Sequence, residues 1–429
     1  MKVKDKLDSL SPRKGKQDRR AVVSDLRSRL ERLSGRRVGA VTHGYPRRER
    51  AIEELVDGHV LTTPFGEIFA VTETYGSGHR HGGTLLEELL DVPHYPAHLI
   101  TGDERFRDID FSRTLFLDTE TTGLSGGTGT YAFMVGVGRF QGGSFTIQQL
   151  FMRNYGEEKA MLFLLGGLLD GCDFLVTFNG RNFDIPLLET RFILSRITTS
   201  FAEKPNYDLL FPSRRIWRGS FDNCRLVTLE AQLLDVNRGN DIPSELIPYY
   251  YFDFIRTGDA GKISQAFYHN RMDILSMVTL AHRIHAACHD PSAFLSRGGI
   301  EQVILGKVFM GYGMIERATD CLEEAFRLCN GPLQWDAMRI LSLVYKKKGE
   351  WKRSAALWED MVSRDGRRSP FPYVELAKYY EHRLKDYSKA REMVQRAFET
   401  VDYLSFSERE ALFHRQSRVM KKERKSFSR

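Results

Sequence analysis

The sequence predicts an α/β domain with a mixed sheet, followed by an all-α domain of helical repeats. Between residues 111 and 195, short apolar segments typical of strands alternate with helical patterns and include a strand–helix–strand crossover. Two of these strands are joined by the turn signal Gln141-Gly-Gly143. Beyond about residue 299, a sequence motif recurs at a fixed step. The length of 429 residues suits two or three such domains.

The composition indicates a globular protein. Hydrophobic residues make up 41% of the chain, which excludes a wholly disordered or collagen-like protein. Lysine and arginine exceed aspartate and glutamate by 63 − 56 = +7, a mild basic excess that fits a phosphate-bearing partner. The five cysteines form no Cys-x-x-Cys pair, which favours a reducing cytosol, so we expect a cytoplasmic protein. No apolar run approaches the roughly 20 residues of a membrane helix, and we expect no membrane partner.

The first hundred residues predict two accessory segments. Residues 1–50 are rich in Lys and Arg and predict a basic, partly disordered arm that either contacts a partner or is a solvated tail. Residues 51–105 mix alternating stretches with turns and predict a β-containing extension that packs against the next domain. His79, His81 and His94 match no metal-site spacing, so we expect them on a surface loop.

The elements of the central domain, residues 106–290, follow from hydrophobic patterns. Short apolar runs bounded by turn residues predict strands, and the 3.6-residue period predicts helices. A helix-rich stretch covers 226–287. The predicted strands lie at 114–117, 131–140, 144–152 and 174–178, and the predicted helices lie at 157–169 and 185–195.

Residues 299–420 predict a helical-repeat array. Three related segments begin at Gly313, Gly349 and Lys385, at steps of 349 − 313 = 36 and 385 − 349 = 36. The period is near the roughly 34 residues of tetratricopeptide hairpins, and about three units suffice for a stacked core. The alternative is an ordinary helical bundle. Arrays of this type bind protein partners, so we expect a protein partner to bind through these repeats.

Two carboxylates follow the first predicted strand of the central domain. Asp118 and Glu120, two residues apart, project from the same face of a sheet. Because neighbouring carboxylates repel, they need a compensating cation, and hard oxygen ligands suit Mg²⁺ or Mn²⁺. The pattern predicts a divalent-metal site at the end of this strand.

Two further motifs carry acidic residues. Asn179-Gly-Arg-Asn-Phe183-Asp184 follows a buried strand and places Asp184 at the start of a helix, at the end of the sheet where α/β proteins build sites. Tyr268-His269-Asn-Arg-Met-Asp273 lies in a helical pattern. His269 and Asp273, four residues apart, share a helical face. Taken singly, each acid has an alternative interpretation without a function, Asp184 as a helix cap and Asp273 as a charge on the helix surface.

In their order along the chain, these motifs resemble those of the DEDD superfamily of 3′–5′ exonucleases, which have a ribonuclease-H-like fold. Asp-x-Glu resembles the first motif, Asn-x-x-x-Phe-Asp the second, and His or Tyr followed by Asp the third. The resemblance covers about residues 111–287 and is nearest to the YprB-type group, which joins such a domain to tetratricopeptide-like repeats.

The resemblance implies hydrolysis of nucleic acid by two Mg²⁺ or Mn²⁺ ions. Asp118, Glu120, Asp184 and Asp273 would hold the ions, and a nearby base would take a proton from water. In the family, the base is a His five residues before the last Asp or a Tyr four before it. Here the order is reversed. The helical phase favours His269, with Tyr268 as the alternative and activation by metal alone as the third possibility.

The expected substrate is a single strand or 3′ end of DNA or RNA. If the family geometry holds, Thr121 and Phe183 contact the terminal nucleotide. Arg214 and Arg215, with Arg218, either bind phosphates beside a stacking Trp217 or form a basic surface over a core Trp217.

Two other functions remain open from the sequence. One is an interaction protein that works through its repeats and carries a degenerate nuclease domain. The other is a structure-specific endonuclease on the same fold. The unusual order of Tyr268 and His269 leaves room for the first, whereas the retention of all four acids argues against it.

Overall fold

The structure is a computed structural model that describes residues 49–123, 129–291 and 299–427. The predicted basic arm, residues 1–50, lies almost wholly outside the described residues. The rest folds into a mixed sheet flanked by helices and a following run of helices, as predicted from the sequence. No helix within the three described ranges is both long and apolar enough to cross a membrane.

Seven strands form the main sheet, in the order β1-β2-β7-β6-β5-β8-β9. Strand β5 lies between an antiparallel neighbour, β6, and a parallel neighbour, β8. The β5–β8 crossover therefore runs through a helix, as the sequence pattern predicted. The seven strands are β1 (His59–Thr63), β2 (Gly66–Tyr75), β5 (Thr114–Thr121), β6 (Ala132–Gln141), β7 (Ser144–Phe151), β8 (Phe174–Thr177) and β9 (Asn206–Asp208).

The segment predicted to contain accessory β-structure adds to this sheet. β2 pairs antiparallel with β7, in a register that places Phe69 opposite Phe151, and β1 continues the edge. A separate two-stranded sheet is formed by β3 (Arg80–His81) and β4 (Thr84–Leu85). His81 is buried rather than exposed, so the expectation of a plain surface loop for this histidine is wrong.

Helices cover both faces of the sheet. Leu115 and Leu117 of β5 enter one apolar core, whereas Phe116 enters the other, as the alternation of a strand requires. The 25-residue helix α7 packs against β5 and β6. The helices of this region are α1 (Pro96–Thr101), α2 (Glu158–Asp170), α3 (Asp184–Ser195), α4 (Leu210–Trp217), α5 (Leu226–Leu229), α6 (Ile247–Thr257) and α7 (Gln265–His289).

Seven helices follow, each packed against the next along the chain. The helices α9, α11 and α13 begin at 315, 351 and 387, so their starts are separated by 351 − 315 = 36 and 387 − 351 = 36 residues. The 36-residue period of the sequence is therefore a period of the structure. The seven helices are α8 (Ile300–Gly311), α9 (Ile315–Leu328), α10 (Gly331–Lys348), α11 (Trp351–Asp365), α12 (Phe371–Tyr379), α13 (Tyr387–Thr400) and α14 (Phe406–Phe427).

The first of these helices share a core with the central domain. One continuous apolar cluster runs from Leu86 through the sheet and α7 to Tyr345 of α10. Polar contacts cross the same boundary, since the Ser220 hydroxyl donates to Glu301 at 2.6 Å. The remaining helices enclose a second cluster around Trp358.

A candidate active site lined by four carboxylates

A cavity of about 600 Å³ opens beside the ends of β5 and β8. The four predicted carboxylates all line it, together with three other predicted residues, Thr121, Phe183 and His269. The structure thus gathers seven residues from three sequence motifs into one site. The lining residues are Asp118, Thr119, Glu120, Thr121, Gly123, Thr130, Phe178, Asn179, Asn182, Phe183, Asp184, Pro186, Leu187, Thr190, Ser244, Pro248, His269 and Asp273.

Strand β5 carries two of the acids. The strand continues to Thr121 rather than ending before Asp118, because the acidic residues keep their pairing with β6, in which Asp118 lies opposite Gly136. Asp118 contacts α7 on one side of the sheet, and Thr119 contacts α3 on the other. The strand's alternation therefore distributes these residues between two helices that both reach the cavity.

Asp118 is held by a buried amide. Asn270 of α7 donates from Nδ2 to Asp118 Oδ2 at 2.8 Å, and its own Oδ1 accepts from Gln149 Nε2 at 2.8 Å. Burial raises the pKa of Asp118 well above its usual range, and the charges of Asp273 and Asp184 raise it further. The Asn270 hydrogen bond opposes this shift, so it stabilises the ionised carboxylate.

Glu120 is a buried acid with no counter-charge among the described residues. It is only 9% exposed. In the described part of the chain its side chain has no hydrogen-bond or ion-pair partner, and the groups acting on its charge are the carboxylates Asp118, Asp273, Asp184 and Asp241. Burial and these charges raise the pKa of Glu120 well above its usual range. An unpaired buried carboxylate is costly, which marks a place for a cation.

Asp184 begins helix α3 and closes the site from the other side. Its Oδ1 accepts the Thr119 hydroxyl. Burial raises the pKa of Asp184 to about 6, although the Thr119 hydrogen bond lowers it. Asp184 is not a helix cap, because Phe183 occupies the position before the helix and no side chain caps it there.

The loop that leads to Asp184 is fixed by Asp208 at the end of β9. The Asp208 carboxylate accepts from the backbone N–H of Asn179 at 2.7 Å, of Arg181 at 3.0 Å and of Leu210 at 3.1 Å. Asn179 adopts a positive φ of 66°. Asp208 binds the loop and does not line the cavity.

His269 faces the cavity with one ring nitrogen and binds a carboxylate with the other. Its Nδ1 lies 2.7 Å from Asp241 Oδ2, and its Nε2 lies 3.1 Å from Ser244 Oγ and 3.7 Å from Asp273 Oδ2. Because an ionised carboxylate only accepts, Nδ1 carries the proton and Nε2 of the neutral ring is the acceptor. Burial lowers the pKa of His269, but Asp241 and Asp273 outweigh it and the net shift is upward.

Tyr268 lies outside the cavity. Its hydroxyl donates to the backbone oxygen of Arg238 at 3.1 Å. It belongs to a shallow depression beside Asp241 and Gln265 instead. The helical phase thus separates these two adjacent candidates for the base.

The segment between α5 and α6 supplies residues that sequence reasoning missed. A wide helical turn at Glu230–Leu234 follows α5, and Asp235 then adopts a positive φ of 57°. This path brings Arg238 and Asp241 against α7, where Arg238 binds Asp273 and Asp241 binds His269. No local pattern in the sequence placed Arg238 or Asp241 near the site.

The donor set of the cavity fits a hard divalent cation. Four carboxylates converge without sulfur ligands, and one of them is buried and unpartnered. As they stand, however, no three Asp, Glu, His or Cys side chains within the described ranges are arranged to hold an ion. Protein donors bind three of the acids, Asp118, Asp184 and Asp273. Asn270 and Thr119 each occupy one oxygen of a carboxylate and leave the other available to a cation, whereas Arg238 pairs its full positive charge with Asp273.

The predicted arginines do not reach the cavity. Arg214 and Arg215 lie exposed on α4, where Arg215 donates to the backbone oxygen of Ile100 at 2.5 Å. Trp217 is buried in the core. Its alternative role in stacking a base is therefore wrong, because the ring has no exposed face to offer.

Two comparisons with known proteins bear on this site. A family profile described as the RNase_H superfamily matches residues 115–285, a range that includes the four carboxylates and His269. The protein named "Uncharacterized protein YprB" of Bacillus subtilis (strain 168) is 31% identical over 363 residues. The alignment covers 81% of this chain and 84% of that protein, so the similarity extends beyond the sheet domain into the helical region.

Proposed function

The chain belongs to the YprB family and carries a domain of the ribonuclease H superfamily, and on that premise we propose that it is a metal-dependent 3′–5′ exonuclease. The observation that carries the proposal is Glu120. This carboxylate is buried without a partner in the described chain, among three other acids of the same cavity. Two divalent cations would compensate all four charges, and hydrolysis of an anionic phosphodiester requires such compensation.

The metal ligands in this proposal are Asp118, Glu120, Asp184 and Asp273, holding two Mg²⁺ or Mn²⁺ ions. When bound, the ions would activate the attacking water and neutralise charge developing on the phosphate and on the leaving oxygen. Asn270 orients Asp118, and Thr119 orients Asp184. Both contacts limit the freedom of the ligands before substrate binds.

His269 is the proposed general base. With its Nδ1 proton directed to Asp241, its Nε2 accepts a proton at the cavity wall, 3.7 Å from Asp273 Oδ2. Asp241 would stabilise the imidazolium that forms, as a carboxylate partner does in other acid–base pairs. Tyr268 has no route to this position, since its hydroxyl is bound to Arg238 outside the cavity.

The shape of the cavity supports binding of a strand end. Its volume of about 600 Å³ lies within the range of pockets for single small ligands. Thr121 and the half-exposed Phe183 line it and would contact the terminal nucleotide. Arg181 lies two residues after Asn179, and its guanidinium carbon is 5.8 Å from the centre of the exposed Phe211 ring. In this pair the guanidinium suits a phosphate and the ring suits a base. Arg214 and Arg215 would contact phosphates farther along the strand.

We assign the helical region, residues 299–420, to binding of a protein partner as a tetratricopeptide-like array. The 36-residue spacing of α9, α11 and α13 supports this assignment. The buried Ala318, Ser354 and Ala390 occupy equivalent positions in the three units. Small residues there allow helices to pack closely, as in stacked helical hairpins.

One observation favours a second function, in which the nuclease domain is a degenerate platform for the repeats. Arg238 is bonded to Asp273, and the acids are not arranged around an ion in the described chain. In that case the cavity would bind no divalent metal. Calorimetric titration with Mn²⁺ separates the two functions, with Asp118→Asn as the reference for a damaged site.

The experiment that tests the proposal is degradation of labelled single strands. DNA and RNA labelled at the 3′ or 5′ end are incubated with Mn²⁺, Mg²⁺ or EDTA, using wild type and Asp118→Asn. We expect shortening from the 3′ end that requires metal and falls at least about a hundredfold in the variant. Circular single-stranded DNA should remain intact, whereas its cleavage would identify an endonuclease.

The base is tested by a matched pair of adjacent variants. His269→Gln should lose about a hundredfold or more in rate, within the range for general base catalysis, and Tyr268→Phe should retain most activity. Equal losses in both would contradict the assignment of His269. Absence of cleavage on every substrate, with no Mn²⁺ binding, would instead support the degenerate platform.

A further inference from the structure

Arg238 is enclosed by three carboxylates at the edge of the cavity. Its Nη2 lies 2.5 Å and its Nε 2.6 Å from the two oxygens of Glu230, and its Nη1 lies 3.0 Å from Asp241 Oδ2. Nη2 also bonds Asp273. The side chain of Arg238 is only 8% exposed and that of Glu230 only 1%. This is a built ionic cluster rather than a surface pair.

In the described chain, Arg238 is the one lysine or arginine bonded to any of the four acids of the cavity. Asp118 and Asp184 have neutral donors, and Glu120 has none. The guanidinium therefore provides the site's fixed positive charge, at the position of a proposed metal ligand. Its other contacts, to Glu230 and Asp241, lie outside the proposed metal ligands.

The cluster is anchored by the N-terminal extension. Glu230 also accepts the Ser276 hydroxyl, and Ser276 lies 2.8 Å from the buried His81 of β3. The N–H of Gly83 donates to the backbone oxygen of Leu234 at 3.1 Å. Arg238 is thus held in place by contacts that do not depend on the cavity.

We propose that Arg238 is a positioning residue that serves as the internal counter-ion of the metal site, neutralising Asp273 before metal binds and yielding Asp273 to an entering cation. This inference rests on the proposed metal-dependent function. A guanidinium has five N–H donors, and those directed at Glu230 and Asp241 remain engaged when Asp273 leaves. Arg238 therefore keeps buried partners in both states, and the metal competes with one of its three contacts.

The competition has two consequences. Without metal, Arg238 reduces the repulsion among the acids of the cavity. With metal, the lost contact to Asp273 reduces the net gain from binding, so Arg238 weakens metal affinity. The family's four acids alone predict neither effect.

The test removes the positive charge of Arg238 together with the negative charge of its buried partner, Glu230. The double variant Arg238→Met/Glu230→Gln eliminates both charges of the deepest pair. The matched control is Arg191→Met/Glu158→Gln, a pair with side chains 6% and 10% exposed that does not line the cavity. Mn²⁺ affinity is measured by calorimetry, and melting temperature is measured in EDTA and in Mn²⁺.

We expect the double variant to bind Mn²⁺ about tenfold more tightly than wild type, and its melting temperature to rise more on adding Mn²⁺. The control should bind Mn²⁺ like wild type and lose the same stability with and without metal. If the double variant does not fold, Arg238→Lys serves instead. A lysine ammonium lacks the planar fork that binds both oxygens of Glu230 and also reaches Asp241 and Asp273, so we expect this variant to bind Mn²⁺ more tightly as well.

Unchanged or weaker Mn²⁺ binding in these variants would overturn the inference, because Arg238 would then have no effect on the site or would assemble it. That result leaves the proposed function standing, provided that wild type binds Mn²⁺ and Asp118→Asn does not. Failure of wild type to bind Mn²⁺ would overturn both.

Discussion

Gly136 and Asn270 show how one close contact determines the orientation of a proposed metal ligand. Gly136 of β6 lies opposite Asp118, and a Cβ built on it would fall 2.0 Å from Asn270 Oδ1. The absence of a side chain therefore admits Asn270, which binds both Gln149 and Asp118. The orientation of Asp118 depends on a residue without a functional group of its own.

We expect Gly136→Ala to displace Asn270 and misplace Asp118. Overpacking of a filled interior should cost about 1–3 kcal/mol in the free energy of unfolding. The rate of nucleic acid hydrolysis should fall at least about tenfold, since small misplacements at an active site are costly. Urea unfolding and the labelled-strand assay measure the two effects. Gly167→Ala, where a Cβ meets nothing within 4 Å, is the control and should preserve activity.

Asp184 gives the metal-free protein a characteristic pH dependence. Its carboxyl group has an ordinary value of 3.8 and a pKa of about 6 in the folded chain, raised chiefly by burial. The folded state thus holds the proton more tightly than the unfolded state. The resulting stabilisation is complete below about pH 4 and is lost as pH rises through about 6.

We expect Asp184→Asn to remove this part of the pH dependence. In EDTA, wild type should lose up to about 3 kcal/mol between pH 4 and pH 7 through this group, and the variant should lose less. Urea unfolding at several pH values measures the difference. Parallel stability curves for the two proteins would contradict the assigned shift.

At the residue scale, the sequence predicted the acids more fully than their supports. Asp118 and Glu120 lie two residues apart on one strand, and His269 and Asp273 share a helical face, so spacing alone brought each pair together. Asn270, Arg238 and Asp241 lack such a signal. Their roles arise from tertiary approach: Asn270 depends on the space at Gly136, and Arg238 depends on the wide turn at Glu230–Leu234.

At the element scale, the predicted α/β ribonuclease-H-like class and its all-α continuation are confirmed. The predicted ends of some strands and helices, however, differ from those in the structure. β5 runs through Thr121 because its backbone pairing with β6 outweighs the low strand propensity of its acidic residues. The pairing of β2 with β7 was not predictable, because it joins residues from 145 − 75 = 70 to 151 − 69 = 82 positions apart.

The helical repeats differ at one backbone position. In each unit, the residue two before α9, α11 or α13 has a left-handed conformation, with φ of 73° at Gly313, 81° at Gly349 and 54° at Lys385. A residue with a Cβ pays about 1–2 kcal/mol for this conformation, whereas glycine does not. The third unit therefore carries a strain that the first two avoid.

We expect Lys385→Gly to stabilise the protein by up to about 1 kcal/mol, the gain being reduced by the flexibility of glycine in the unfolded chain. Gly349→Ala is the opposite change at the equivalent turn, where a Cβ meets nothing within 4 Å, and should destabilise by a similar amount. Thermal unfolding of both variants measures the effects. A loss of stability in Lys385→Gly would show that the Lys385 side chain contributes more than its backbone costs.

On the scale of the whole molecule, the boundary between the sheet domain and the helices is not a boundary between cores. Leu280 and Ile284 of α7 belong to the same apolar cluster as Val303 and Phe309 of α8. The Arg317 guanidinium of α9 donates to the Tyr95 hydroxyl at 2.5 Å, which ties the second helix to the sheet domain as well. The second cluster, around Trp358, begins within α10 and lies beyond this joint.

This arrangement predicts different results for two truncations. A chain that ends at residue 298 loses α8–α14 and exposes the apolar surface that α8–α10 cover, at about 25 cal/mol per Å² of apolar area. We expect it to aggregate or to melt far below the full chain. A chain that ends at residue 349 keeps the shared core and exposes chiefly Trp335 and Met338 of the second cluster. It should stay folded, bind Mn²⁺ and retain any nuclease activity of the full chain.

Thermal unfolding, light scattering and calorimetry of the two truncated chains test this. A monomeric 298-residue chain that melts with the full protein would show instead that the sheet domain is stable without its helical neighbours.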